Sequence, residues 1–170
     1  MSNKKPVVHP SCFVARGAVL IGDVVLEEGV SVWFNAVIRG DRTPIRIMRD
    51  ANVQDNCVIH SSPGFPATVG PNVTMGHCSL VHGATVEEDS IIGMNAAVLN
   101  GAVIGRGSIV AAGAVVKEGT IVPPGSLVAG VPAKILREGD ERLAAAAREN
   151  GKEYQEIRNS HLRGEFQQYP

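Results

Sequence analysis

The chain has 170 residues, 44% of them hydrophobic but only 4% aromatic, with 19 glycines, which suits one domain built from thin layers of Val, Ile, Ala and Gly. Its formal net charge of −1 gives no electrostatic basis for binding nucleic acid or an anionic membrane. Residues 1–10 lack a hydrophobic signal core, and no apolar run approaches the roughly 18 residues of a spanning helix, so a cytoplasmic protein is expected.

From Val8 onward the sequence repeats every six residues. Val8, Val14, Leu20, Leu26, Val32 and Ile38 form one aliphatic column. After a slip of three the column resumes at Ile47, Val53 and Ile59. A second slip of three sets Thr68, Thr74, Leu80 and Val86, and then every sixth residue to Val128. Of these 20 positions, 18 are Val, Ile or Leu. A second column, four residues later, holds small residues, including Ala36, Ala51, Ala84, Ser90, Ala102, Ser108 and Ser126. The three cysteines, Cys12, Cys57 and Cys78, fall in this small inward column and are expected to be buried and inert. A helix repeats every 3.6 residues and a simple strand every two, so neither produces two columns six apart. A short strand plus a corner does, and three such units close one triangular coil.

Pro123, Pro124 and Pro132 are expected to end regular pairing, with Asp140 capping a helix that runs to about Arg163. One stripe of that helix carries Leu143, Ala147, Asn150, Tyr154, Ile157 and His161, and it is expected to lie along the outside of the prism. Gly151 should weaken this helix by about 1 kcal/mol relative to Ala. The paired six-residue columns resemble the hexapeptide-repeat, left-handed parallel β-helix family, which implies an all-β solenoid over residues 1–132, with a C-terminal α-helix and tail over 133–170.

Three of the five histidines, His60, His77 and His82, lie where the repeat is interrupted. His60 follows the inward Ile59, and His82 lies two residues beyond Leu80, which places both outside one face on adjacent coils. His77 falls at the preceding corner. A rigid prism keeps it away from the other two, but a threefold-related neighbour can supply its own His77. Three converging imidazoles form an open metal site with a fourth position for water. His9 and His161 are read as plain surface residues, Trp33 as interface packing, and Asn52 as a corner residue that bonds to the backbone.

These residues, taken with Arg39-Gly40-Asp41, Asn52-Val53-Gln54-Asp55-Asn56, Gly76-His77 and His82-Gly83, resemble the γ-class carbonic anhydrase family of hexapeptide-repeat proteins. The resemblance implies a homotrimer that hydrates CO2 to bicarbonate by metal-hydroxide attack, with no nucleic acid or membrane partner. It makes His60, His77 and His82 ligands of Zn2+, or of Fe2+ or Co2+ as in some members. It assigns Gln54 to orient the reactive water, Arg39 and Asp55 to a pair bridging subunits, and Asp41 to the surrounding acid shell. Tyr154 matches a tyrosine of the C-terminal helix that closes the pocket in some members.

The sequence departs from the fully active pattern in two places. Arg42 follows Asp41 where an acid is expected, and the segment Ser61–Pro66 is short and carries no carboxylate. Slow proton transfer is therefore expected. The segments Val7–Ser11 and Glu153–Gln155 also resemble a branch found with carnitine and phenylacetate metabolism. Three other readings stay open: a CoA-thioester hydrolase using the same metal site, a non-catalytic metal-binding homologue, and a hexapeptide acyltransferase.

Overall fold

The chain winds into a left-handed parallel β-solenoid of about seven coils, followed by a single helix. The structure is a computed structural model that describes residues 4–167 and 169. Three columns of aliphatic side chains fill the prism, one behind each face. Ile38, Ile59, Val81, Val98 and Val116 stack behind the first face. Behind the second, Leu26 leads through Ile47, Val69, Val86 and Ile104 to Val122. Val32, Val53, Met75, Ile92, Val110 and Val128 fill the third. All are buried, each contributing about 1.5–3 kcal/mol of hydrophobic stabilisation. Each face is a ladder of mostly two- or three-residue strands, with Val19–Leu26 and Val37–Ile47 longer, that hydrogen-bond to the coils on either side.

The second half of the array keeps one coil length: Val98 pairs with Val116, and Val110 with Val128, each eighteen residues on. The interrupted region differs from the sequence expectation. Val69, Met75 and Val81 fill the core where Thr68, Thr74 and Leu80 were expected. The segment after His60 inserts four extra residues rather than three, and the step from Val81 to Val86 is one residue short. The two irregularities sum to the expected shift, so the phase is right again from Val86. Cys78 is consequently not an inward residue. It is exposed at a corner, with left-handed backbone at φ 61°, while Ser79 takes the buried position. Cys57 is buried as expected and Cys12 partly so, and burial pushes both thiols up.

The prolines do not end pairing. Leu127–Ala129 continues the ladder, and Lys134–Arg137 then pairs with it antiparallel, covering the open end of the sheet. Pro123, Pro124 and Pro132 all lie between strands, where no ladder N–H is needed.

The helix, Glu141–Leu162, starts at Asp140, whose Oδ1 accepts from the backbone N–H of Arg142 at 3.1 Å. Salt links to Arg142 and Arg137 hold the Asp140 carboxyl well below the usual carboxylate range. The helix packs back along the solenoid through buried Ala147 and Gly151. A Cβ at Gly151 would stand 2.1 Å from Asn72 Oδ1, so this glycine permits close contact rather than merely weakening the helix. Further along, Arg158 reaches the Gly29 carbonyl and Asp50. Beneath the helix, Trp33 is 5% exposed and packs against Phe13, Phe34, Tyr154 and His161. Trp33 is therefore covered by its own chain rather than by an interface. His161 is part of that aromatic cluster, not a plain surface residue. His9 is exposed, with Nδ1 2.8 Å from Ser11 Oγ.

Candidate metal centre

His60 and His82 occupy partner positions on adjacent coils, because Ile59 pairs with Val81 behind them. Inward Ile59 and Val81 alternate with these outward imidazoles, as strand geometry requires. His60 Nδ1 lies 3.1 Å from His82 Nε2. Each ring also uses its far nitrogen: His60 Nε2 is 3.0 Å from Asp41 Oδ1, and His82 Nδ1 is 2.8 Å from Asn100 Oδ1.

These outer contacts fix the tautomers. Asp41 is held below its usual range first by the Arg39 guanidinium, at 2.6 Å, and then by His60, so it is an acceptor and His60 Nε2 must carry the proton. Asn100 presents its carbonyl oxygen to His82, so His82 Nδ1 carries the other. In the neutral rings both facing nitrogens are then bare lone pairs 3.1 Å apart. Two lone pairs at that separation repel unless a cation lies between them. Two imidazole nitrogens held by outer carboxylate and amide partners, with lone pairs converging, are donors of the kind that metal sites use, though they make only part of a ligand set.

His77 stands apart from this pair. It sits on the turn after Thr74–Met75, with Nδ1 2.8 Å from Asp55 Oδ2. The other Asp55 oxygen accepts from the Phe34 backbone N–H at 3.2 Å. Asp55 thus fixes the proton on Nδ1 of His77 and leaves Nε2 as the lone pair. Among the described residues of one chain, no three His, Cys, Asp or Glu groups converge to hold a metal.

Gln54 is 3% exposed and both ends of its amide are engaged. Its Oε1 accepts from the His77 backbone N–H at 3.1 Å, and its Nε2 donates to Asn52 Oδ1 at 3.1 Å. Asn52 Nδ2 in turn donates to Thr74 Oγ1, and the Thr74 hydroxyl to Asn150 Oδ1, both at 2.8 Å. A buried chain of side chains therefore runs from the helix to the turn that carries His77. Asn52 works through this chain of side chains, not through backbone contacts at a corner. Arg39 and Asp55 do not meet within one chain; Arg39 is bound to Asp41 and Asp55 to His77. Tyr154 lies edge-on to Trp33 at 5.8 Å, where burial, then the charges of Asp55 and Glu153, raise its pKa. This puts it on the His77 side of the prism.

Sequence comparison agrees with this architecture. The hexapeptide model described as "Bacterial transferase hexapeptide (six repeats)" matches residues 83–118. A Methanocaldococcus jannaschii protein named "Probable carbonic anhydrase" is 49% identical, over 83% of this chain and 89% of its own length. The Arabidopsis thaliana protein "Gamma carbonic anhydrase 2, mitochondrial" is 37% identical across 94% of this chain, which spans 59% of that longer protein. "Carnitine operon protein CaiE" of Escherichia coli K12 is 40% identical over 89% of this chain and 78% of its own. A crystal structure of a hexapeptide transferase family protein from Anaplasma phagocytophilum superposes with a TM-score of 0.89, at 33% identity and 94% coverage of both chains. The chain belongs to the γ-class carbonic anhydrase family of hexapeptide-repeat proteins.

Proposed function

We propose that the protein is a metal-dependent hydratase of CO2, acting at sites shared between subunits of a homotrimer. The observation that carries this reading is the facing pair His60 Nδ1 and His82 Nε2, 3.1 Å apart with both outer nitrogens already engaged. His60 and His82 of one subunit would hold the metal with His77 of the next. Zn2+ fits the three-imidazole set, and Fe2+ or Co2+ fit the same donors. When bound, such a cation supplies the Lewis acidity that makes hydroxide available near neutral pH.

The assembly has support in the surface beside the pair. Two residues before His60 and His82, the outward column reads Val19, Val37, Val58, Leu80, Ala97 and Val115. Val19 and Val58 are 42% and 38% exposed in the single chain. A continuous apolar column flanking an incomplete polar site suits a cyclic contact that covers it.

Around the site the residues divide the work. Asp41 and Asp55 fix the protons of His60 and His77 on the far nitrogens. Gln54 is held at both ends, so its remaining Nε2–H can orient water or CO2 without further ordering. Asp41 is a weak base at neutral pH because Arg39 and His60 stabilise its anion. The loop at Ser61–Pro66 offers no carboxylate. Proton export should therefore limit turnover.

A second reading is hydrolysis of a CoA thioester at the same centre, with the same weak proton acceptors around it. The transferase description of the repeat model does not favour acyl transfer, since it matches residues 83–118, downstream of all three histidines. Stopped-flow CO2 hydration on zinc-loaded protein tests the proposal. Turnover above the buffer rate that rises with added imidazole buffer is expected. Zinc-loaded protein with no hydration but with turnover of a CoA thioester would replace the first reading by the second.

A further inference from the structure

His82, Asn100 and Glu118 follow one another at intervals of eighteen residues, and their side chains are joined. His82 Nδ1 is 2.8 Å from Asn100 Oδ1, and Asn100 Nδ2 donates to Glu118 Oε1 at 3.2 Å. We infer that Asn100 and Glu118 are positioning residues that hold His82 in its metal-binding tautomer. The inference rests on the metal reading above, but its physical content is the placement of one proton.

An asparagine amide has two ends of similar size and opposite hydrogen-bonding sense. With the oxygen toward His82, the ring carries its proton on Nδ1 and turns a lone pair at Nε2 toward His60. With the amide reversed, Nδ2 donates to Nδ1, the proton moves to Nε2, and the nitrogen that faces His60 is blocked. Glu118 decides between these states. Its carboxylate is acceptor-only when ionised, so only the Nδ2 end of Asn100 can face it. Glu118 is exposed and makes no ion pair among the described residues, which leaves this contact as its polar engagement.

Local packing is shaped to the amide. Gly83, next to His82, has φ 59°, and a Cβ there would stand 2.4 Å from Asn100 Oδ1 and 2.8 Å from Phe65 Cβ. The bare glycine thus leaves the space in which the carbonyl reaches His82. Phe65 closes over it from the loop after His60, with its ring 3.1 Å from the Cβ position of Gly101. The backbone on either side is pinned, Gly101 N–H to Gly83 O at 2.7 Å and Gly119 N–H to Asn100 O at 2.9 Å.

The test uses the full chain, with histidine side-chain nitrogen NMR on metal-free protein and competitive titration with zinc alone. Wild type is expected to carry a proton on His82 Nδ1. Glu118→Ala should spread that proton over both ring nitrogens and weaken zinc binding by about 10- to 100-fold. Adding Asn100→Asp to Glu118→Ala should restore both, because a carboxylate accepts from Nδ1 in either orientation. A merely structural role for Glu118 predicts no such rescue. Unchanged tautomer and unchanged zinc affinity in Glu118→Ala would overturn the inference. A tautomer that responds to Glu118→Ala, in a protein that binds no zinc, would uphold the positioning role and defeat the metal reading instead.

Discussion

His60 and His82 face each other as ladder partners with Nδ1 and Nε2 3.1 Å apart, while Asp41 and Asn100 hold their outer nitrogens. This arrangement is favourable with a cation and repulsive without one, so metal should act as a folding ligand. Zinc at a thousand times its dissociation constant should add about 4 kcal/mol to wild-type stability, and chelation should remove it. In His82→Ala, thermal unfolding should be the same with and without chelator. Equal responses of the two proteins, read by calorimetry, would contradict the assignment of these ligands.

The buried chain from Asn150 to His77 passes through Thr74, which is 2% exposed. Thr74→Val keeps the shape but leaves Asn52 Nδ2 without an acceptor and Asn150 Oδ1 without its donor. The expected cost is about 1–3 kcal/mol in urea unfolding, together with looser placement of Gln54 and lower kcat. A neutral substitution would show that the helix and the site are independent.

Gly151 and Asn72 give a prediction whose sign opposes helix propensity. Gly151→Ala should gain about 1 kcal/mol as an isolated helical change. Here the new Cβ would meet Asn72 Oδ1 at 2.1 Å, and that side chain is held by Asp89 at 2.8 Å, so the variant should be less stable than wild type. Asn72→Gly should relieve the clash while tolerating the φ of 54° at that corner, making the double variant more stable than Gly151→Ala alone. Denaturant midpoints measure both.

Asp140 makes helix docking sensitive to acid. Its folded pKa is depressed, chiefly by Arg142. It therefore contributes stability that is fully present above the unfolded value of about 3.9 and is lost as pH falls through the lower folded value. Trp33, the single tryptophan, lies under the helix beside Tyr154 and His161, so its emission reports docking. Asp140→Asn should be less stable than wild type at pH 7, and the difference should shrink below about pH 4. A difference that stays constant with pH would remove the carboxylate from this role.

The solenoid was legible because a six-residue period leaves two columns that no helix or plain strand can produce, and the terminal helix because its cap and apolar stripe are local. The middle of the chain was misphased by one residue, since a four-residue insertion after His60 and a one-residue deletion after Val81 together mimic a single slip of three. The apolar set Val69, Met75 and Val81 carried the better signal than a column containing Thr68 and Thr74. His60 and His82 were read as neighbours on adjacent coils, and the structure makes them direct ladder partners, closer than a two-residue offset from Leu80 implied. Asn100 and Glu118 were not singled out because they lie on the coils after His82 and reach it only through side-chain contacts. The interval of eighteen residues from His82 to Asn100, repeated from Asn100 to Glu118, is the signal that finds them. Trp33 and His161 were misread because only the docked helix buries them.

The most direct test of the shared site is complementation between inactive chains. Trimers of His77→Ala and trimers of His82→Ala should each lack the zinc site. Unfolding an equal mixture and refolding it together should regenerate about one quarter of the wild-type sites, because each site then needs a specified chain on both sides. Zinc content and CO2 hydration should recover together to that fraction. No recovery in mixed trimers that assemble normally would contradict a site built from His60 and His82 of one subunit and His77 of its neighbour.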